Sequence, residues 1–133
     1  MISAICNSAK EEFLSGVHQP NDRYKLALFL EGAILSEETT QYNAVNEADG
    51  MGYETGGKSL STPVIQTKNG ETSMTFASPI SWENASITAR GAMIYNATKG
   101  NKALAVFDFG KPITSTNGPF TVKIPNEGAI ILS

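Results

Sequence analysis

The sequence predicts a mainly β fold, an antiparallel β-sandwich or jelly-roll-like domain with a short N-terminal α-helix. Apolar residues near the start of the chain recur at helical spacing, whereas from residue 24 onward they alternate with a period of two. Together with the run that begins at Tyr24, the strand-like runs of the C-terminal half make about seven short strands, separated by turn signals roughly every 8–12 residues. We expect one structural domain, with residues 1–20 as a helical arm and residues 21–133 as the β-sandwich.

The first predicted element is a helix over residues 2–15. Gly16 is a plausible end for it, and Pro20 prevents its continuation. The helix could pack on the domain's own core, which is the default expectation, or extend to a partner as an arm. Cys6 is the only cysteine, so we expect a buried thiol and no intrachain disulfide. One face of the helix carries the apolar residues Ile2, Ile5, Cys6, Ala9 and Phe13.

The next predicted element is a mostly buried strand, "YKLALFL", beginning at Tyr24. A long polar connection follows, which suggests a functional segment or one ordered by a partner. Asn69-Gly70 is a strong signal for a β-hairpin, because a type I′ turn requires positive φ at both central positions. A second hairpin joins "ASITARGAMIYN" to "KALAVFDFG", and "GPFTVKIP" and "GAIILS" supply two final short strands.

Composition excludes several classes of partner. The chain has 10 basic and 13 acidic residues and a net charge of −3, so its surface has no general attraction for nucleic acid or anionic lipid. No apolar run approaches the roughly 20 residues that span a bilayer. No basic segment precedes an apolar one as in an export signal. We therefore expect neither nucleic acid nor membrane as a partner.

One stretch matches a nucleotide-binding pattern. "GYETGGKS", residues 52–59, fits G-x-x-x-x-G-K-[ST], in which backbone N–H groups and a following helix N-terminus hold phosphates. No apolar strand precedes Gly52, and after Ser59 the run "LSTPVIQ" reads as extended chain. We therefore interpret the match as the glycine-rich end of a loop that leads into a strand. Lys58 is then a solvated residue at the start of that strand.

No other group of residues predicts catalysis. His18 is the only histidine, so a multi-histidine metal site is excluded, and we expect it to cap local backbone groups. Asp108 lies in an otherwise apolar strand, where a turn hydrogen bond or an ion pair with Arg90 is the expected role. Trp82 is expected in the core or at its rim. We predict no catalytic, cofactor-binding or metal-binding residue.

Several blocks of the chain carry a resemblance to a known family. They are "ICNSAKEEFLSGVH", "YKLALFLEGAILSEETTQY", "NEADGMGYETGGKSL", "SWENASITARGAMIYN" and "GNKALAVFDFGKPITSTNGPFTVKIP", and they span residues 5–125. In order and spacing they resemble a family of small virion structural proteins of tailed bacteriophages. The chain departs from the family at Glu37-Glu38, where relatives carry less charge.

The resemblance implies a non-enzymatic virion protein made in the cytoplasm of the host bacterium. A capsid decoration, or cement, protein bound to the major capsid protein is the first expectation, and a homodimer or homotrimer is its expected state. One alternative is a neck, tail or host-surface-binding module, and another is a small enzyme that uses residues 52–59. We place the expected partner contacts on the N-terminal helix and the 36–57 loop, with the probes Phe13, Glu37, Glu38, Tyr42 and Tyr53.

Overall fold

The computed structural model describes residues 1–77, 79–124 and 129–132. Its elements confirm a mainly β, antiparallel chain with one short helix near the N-terminus. The helix is α1 (Asn7–Leu14). The strands are β1 (Ala4–Ile5), β2 (Tyr24–Phe29), β3 (Gly50–Met51), β4 (Lys58–Ser59), β5 (Val64–Lys68), β6 (Glu71–Thr75), β7 (Ile80–Asn96), β8 (Lys102–Thr114), β9 (Gly118–Val122) and β10 (Ile130–Leu132).

Strand β7 is the centre of the larger sheet. Its C-terminal half pairs with β8 on one side and β2 on the other, and its N-terminal half pairs with β9 and β3. β1 extends this sheet beyond β8, and β4 extends it beyond β2. Three register shifts interrupt the pairing of β7, which allows its 17 residues to serve different neighbours along their length.

A smaller sheet has the strand order β10-β6-β5. Its β5–β6 hairpin closes at Asn69 and Gly70, whose φ angles are 54° and 79°. Both values are positive, as a type I′ turn requires, so the predicted hairpin is confirmed. The predicted last strand is present as β10, while residues 128 and 133 at the ends of that prediction lie outside the described residues.

Both faces of the larger sheet are covered by other parts of the chain. One face, together with residues of the smaller sheet, forms a first core cluster that includes Leu26, Leu28, Trp82, Ile94 and Ile130. The other face lies beneath α1 and the connection after β2, and forms a second cluster that includes Cys6, Ala9, Phe29, Met93 and Val106. The alternation predicted for "YKLALFL" therefore places the two sides of β2 in two different cores.

The predicted helix over residues 2–15 is wrong at its N-terminal end. Ala4 and Ile5 form β1 and pair with Val106 and Ala105 of β8, so their backbone groups are satisfied by the sheet instead of by a helix. The helix begins only at Asn7 and ends before Gly16, where φ is 76° as a helix stop requires. The side chains of Cys6 and Ala9 are fully buried against the chain's own sheet, the first of the two alternatives for this helix.

Candidate partner-contact surface

The long connection after β2 is bound to the sheet by backbone hydrogen bonds. Leu30 N donates to Asn46 O at 2.8 Å, and Ala48 N donates to Leu28 O at 2.8 Å. Farther along, Tyr42 N donates to Asn101 O, also at 2.8 Å. Intrachain contacts therefore order this segment without a partner, and its surface is presented in a fixed shape.

Glu47 joins the two tyrosines that the sequence singled out as contact probes. Tyr42 Oη donates to Glu47 Oε1 at 2.5 Å, and Tyr53 Oη donates to Glu47 Oε2. The same Oε2 accepts a hydrogen bond from Gly56 N at 2.8 Å. Tyr53 Oη in turn accepts the N–H of the buried Leu28 at 3.0 Å. The hydroxyls of Tyr42 and Tyr53 therefore both form hydrogen bonds within the chain.

A third tyrosine completes this group. The rings of Tyr42 and Tyr95 stack with centroids 4.5 Å apart and planes 12° apart, and Tyr95 Oη donates to Gly56 O at 2.5 Å. Burial, reinforced by the Glu47 charge, raises the pKa of Tyr95 to about 12. Burial and the hydrogen bond to Glu47 likewise raise the pKa values of Tyr42 and Tyr53 well above 10.0. These hydroxyls therefore remain protonated donors at neutral pH.

Glu37 and Glu38 lie at the first turn of α1. Glu37 O accepts the N–H of Asn7 at 2.8 Å, and Glu38 Oε1 accepts the Asn7 side-chain amide at 2.9 Å. Glu38 is exposed, while Glu37 is half-buried with one carboxylate oxygen that has no hydrogen-bond partner among the described residues. These residues join the connection to the helix, and only Glu38 presents its side chain to solvent.

Phe13 lies in a different environment from the other probes. Its ring packs against His18, with centroids 4.9 Å apart, and it is half-buried. Together with Ile65, Met74 and Ile130 it lines a small apolar cavity of about 90 Å³ next to the smaller sheet. The structure thus brings Tyr42 and Tyr53 together and Glu37 and Glu38 together, but does not place Phe13 with either pair.

Sequence reasoning missed the aliphatic residues of the same connection. Ile34 is 91% exposed and Val45 is 71% exposed, and Met51 is also exposed farther along. Ile34 and Val45 line the mouth of an open cavity of about 260 Å³, which reaches Phe29 and Met93 in the second core cluster. In the sequence, such a residue can be recognised only as an apolar residue that has no apolar neighbour at helical or strand spacing within an otherwise polar stretch.

The 52–59 stretch is a turn that feeds a strand, as predicted. Gly57 has a φ of 84°, and β4 begins at the next residue and pairs with β2. A Cβ on Gly57 would lie 2.0 Å from Leu26 O, so the glycine permits a close approach of two backbones. Lys58 is exposed but not merely solvated, because its Nζ donates to Ser81 O and lies 5.3 Å from the centroid of the Trp82 ring.

His18 does not cap backbone groups, so that prediction is wrong. Its ring is buried, with Nε2 2.9 Å from Glu12 Oε1 and Nδ1 3.0 Å from Asn96 Nδ2. Side chains from α1 and β7 therefore supply its partners, because the turn after the helix folds back onto the end of β7. Asn96 Nδ2 also donates to Asp22 Oδ2 at 2.8 Å.

The sequence predictions for Asp108, Trp82 and Cys6 are confirmed. Arg90 Nε donates to Asp108 Oδ1 at 2.9 Å, and Arg90 Nη1 donates to the exposed Glu31 at 2.8 Å. Trp82 is in the core, and Cys6 is a buried free thiol. Among the described residues, no group of three or more His, Cys, Asp or Glu side chains is arranged to hold a metal ion.

Helix α1 has eight residues, and the described part of the chain has no helix long and apolar enough to cross a membrane. Comparisons with family models, with curated proteins and with solved structures each gave no significant match.

Proposed function

We propose that this chain is a non-enzymatic virion structural protein of a tailed bacteriophage, and specifically a capsid decoration protein that binds the major capsid protein lattice. The phage assignment rests on the sequence resemblance spanning residues 5–125. The observation that supports a docking role is the exposure of Ile34 and Val45 on a connection fixed by hydrogen bonds. Such aliphatic side chains gain most when a partner removes them from water.

The chemistry of this surface favours a protein lattice over a glycan. Glycan sites present exposed aromatic faces and free polar groups in a cleft. Here Trp82 is buried, and the hydroxyls of Tyr42 and Tyr53 are committed to Glu47. The large apolar side chains exposed on this connection, Ile34, Val45 and Met51, are not aromatic. A neck, tail or host-surface-binding module therefore remains the second candidate, with less support from the surface.

The proposal also covers the arrangement of the two sheets and the oligomeric state of the protein. We propose that the two sheets, which share the first core cluster, form a β-sandwich with jelly-roll-like character. We also propose that the protein acts as a homodimer or homotrimer on the particle. Symmetric assembly would convert a weak contact of each copy into durable attachment through multivalency.

Localisation in purified particles is the direct experiment. Cryo-electron microscopy should find hundreds of copies distributed over the shell, as the lattice of a capsid provides about that many equivalent positions. A ring of six or twelve copies at one vertex would replace the decoration proposal with the neck or tail alternative. Absence from purified particles would reject both.

The docking surface is tested by substitution. Ile34→Ser and Val45→Ser together should weaken binding to shells that lack the protein by about 100-fold, because each loses the burial of one aliphatic side chain. Ile113→Ser is the control, since Ile113 is an exposed aliphatic residue on β8, outside both expected contact segments. Equal binding of the double variant and the control would reject this surface as the contact.

The enzyme alternative is tested with a labelled ATP analogue. We expect no binding, because the 52–59 stretch ends in β4, where a phosphate-binding loop leads into a helix. Binding that is lost in Lys58→Ala would overturn the non-enzymatic proposal.

A further inference from the structure

We propose that the protein forms a two-fold dimer in which β5 of one copy pairs antiparallel with β5 of a second copy, centred on Gln66. The proposal rests on the homodimer given as one of the two oligomeric states above and names its interface. It can fail while the virion function holds, because the location of the protein in particles is tested separately. It rests on the exposure of β5, the direction of its backbone groups, and the distribution of its charge.

Strand β5 is unusually exposed for a strand with two adjacent β-branched apolar residues. All five of its residues are exposed, and Val64 and Ile65 are 57% and 49% exposed. Within the described part of the chain β5 pairs only with β6, so its other edge is open. Natural edge strands are usually protected by charge, proline within the strand, or a bulge. β5 has a regular register with β6 and a single charged residue, Lys68, at its end.

The hairpin turn determines which backbone groups face the open edge. Lys68 and Glu71 flank a two-residue turn, and such a flanking pair is hydrogen-bonded in the ladder. Alternation then directs the backbone groups of Val64, Gln66 and Lys68 toward β6. The N–H and C=O groups of Ile65 and Thr67 therefore point outward. The Thr67 and Thr72 hydroxyls lie 3.0 Å apart, as the closer side chains of a non-hydrogen-bonded pair allow.

A second copy of β5 fits this edge without adjustment of register. With the two-fold axis at Gln66, Ile65 lies opposite Thr67 of the second copy and both residues offer outward N–H and C=O groups. Two such pairs give four interchain hydrogen bonds, the pattern of β-strand addition. The interface is isologous and closed, so it produces a dimer and not a fibre.

Charge favours the same arrangement. In the antiparallel register each Lys68 lies opposite Val64 of the other copy, and the two ammonium groups are separated by roughly 13 Å of strand. A parallel arrangement would place the two lysines side by side, where like charges repel. Lys68 also pairs across the hairpin with Glu71, so the dimerising hairpin carries no net charge.

A disulfide experiment tests the register. Gln66→Cys places two thiols in a non-hydrogen-bonded pair with Cα atoms about 4.5 Å apart, which is within the range of a disulfide. Air oxidation of Gln66→Cys, at a concentration where sedimentation shows the dimer, should give a covalent dimer, whereas Lys68→Cys should stay monomeric on a non-reducing gel. Burial raises the pKa of the Cys6 thiol to about 11, so Cys6 does not compete. Equal cross-linking of both variants, or none in Gln66→Cys, would overturn the proposal.

Oligomeric state tests the edge itself. The unmodified protein should sediment as a concentration-dependent dimer. Thr67→Pro removes an outward N–H without breaking a backbone hydrogen bond to β6, although it also removes the hydroxyl contact with Thr72. It should raise the dimer dissociation constant by about 100-fold. Circular dichroism and the melting temperature of the dilute monomer check that the fold is retained. A trimer, a monomer at all concentrations, or an undiminished Thr67→Pro dimer would reject the β5 interface.

Discussion

Glu47 is the single side chain on which the shape of the long connection most depends. Its two carboxylate oxygens receive hydrogen bonds from Tyr42, Tyr53 and Gly56, which lie five, six and nine residues away along the chain. These hydrogen bonds hold the connection around the Glu47 carboxylate. Because Tyr53 also accepts the N–H of Leu28, the same group of residues is joined to the buried strand β2.

Removal of the Tyr53 hydroxyl should lower the free energy of unfolding. Tyr53→Phe leaves the buried N–H of Leu28 without its acceptor, so we expect a loss of about 1–3 kcal/mol in the free energy of unfolding. Chemical denaturation measures it. Tyr24→Phe is the control, because its hydroxyl donates to the carbonyl of the exposed Gln19, which water can satisfy. A smaller loss for Tyr53→Phe than for Tyr24→Phe would contradict the role given to this hydroxyl.

Asp108 should make stability depend on pH. The hydrogen bond from Arg90, followed by that from Gly110 N, lowers the pKa of Asp108 below its ordinary value of 3.8. A lowered folded-state pKa means that the carboxylate stabilises the fold above pH 3.8, and that this contribution disappears as pH falls through the folded-state value. The melting temperature of Asp108→Asn should therefore be below that of the unmodified protein at pH 7, and the difference should shrink progressively as pH falls below 3.8.

A matched control for that pH series is Asp49→Asn. Asp49 is exposed and belongs to no ion pair of the described residues. Its melting temperature should follow the unmodified protein at every pH. If the Asp108→Asn difference did not shrink as pH fell below 3.8, the Arg90 pairing would not be its source.

Sequence reasoning found several of these residues and misjudged what some of them do. The pairing of Arg90 with Asp108 could be predicted, because opposite charges on neighbouring strands of a hairpin are brought together by its register. The role of Tyr42 and Tyr53 could not, because nothing in the local pattern shows that both hydroxyls reach one carboxylate. Polar networks inside a loop depend on its three-dimensional path, which periodicity does not determine.

Among the elements, the turn before β4 shows why its glycines are present. Gly57→Ala would place a methyl group against the backbone of β2 and force a positive φ on a residue with a Cβ. We expect a loss of at least about 3 kcal/mol in the free energy of unfolding, or failure to fold. Gly32→Ala is the control, because an added Cβ there meets only ordinary contacts at 3.8 Å. Equal stability of the two variants would contradict the close approach.

Element boundaries were predictable where one local rule decided them. The Asn69-Gly70 hairpin and β2 follow from turn chemistry and a period of two, and both are present. The helix start was not predictable, because Ile2 and Ile5 share the apolar spacing of the helix, whereas Ala4 and Ile5 pair with the edge of β8. A free sheet edge nearby is tertiary information, and it outweighs the weak helical propensity of a short segment.

For the whole molecule, we expect all four tyrosines to resist ionisation in the folded state. Burial raises the pKa of each above 10.0, to about 12 for Tyr95 and farther for the other three. Raised folded-state values mean that stability is complete below pH 10 and declines as pH rises toward them. Absorbance at 295 nm should therefore stay flat through pH 10 and increase only together with alkaline unfolding. A separate step near pH 10 in the folded protein would contradict this prediction, and protein in denaturant supplies the reference titration.

At this scale the sequence indicated the class of fold but not its arrangement. Alternation and turn spacing predict antiparallel strands, and the sheets are antiparallel. They do not show that one strand serves two sets of neighbours, because register shifts such as that between Ala89 and Gly91 carry little signal in the sequence. Likewise, the exposure of the aliphatic residues in the connection can be established only once the burial of their neighbours is known.

The central position of β7 has a consequence for how the chain acquires its structure. β2 pairs with residues 62 to 72 positions later in the chain, whereas β7 and β8 are joined by a short turn. Because local contacts form before distant ones, the β7–β8 hairpin is the expected nucleus, and β2 can join only afterwards. During synthesis the apolar β2 therefore leaves the ribosome well before its partner strand exists. The nascent chain is exposed to aggregation for that interval, the time needed to add some 70 residues.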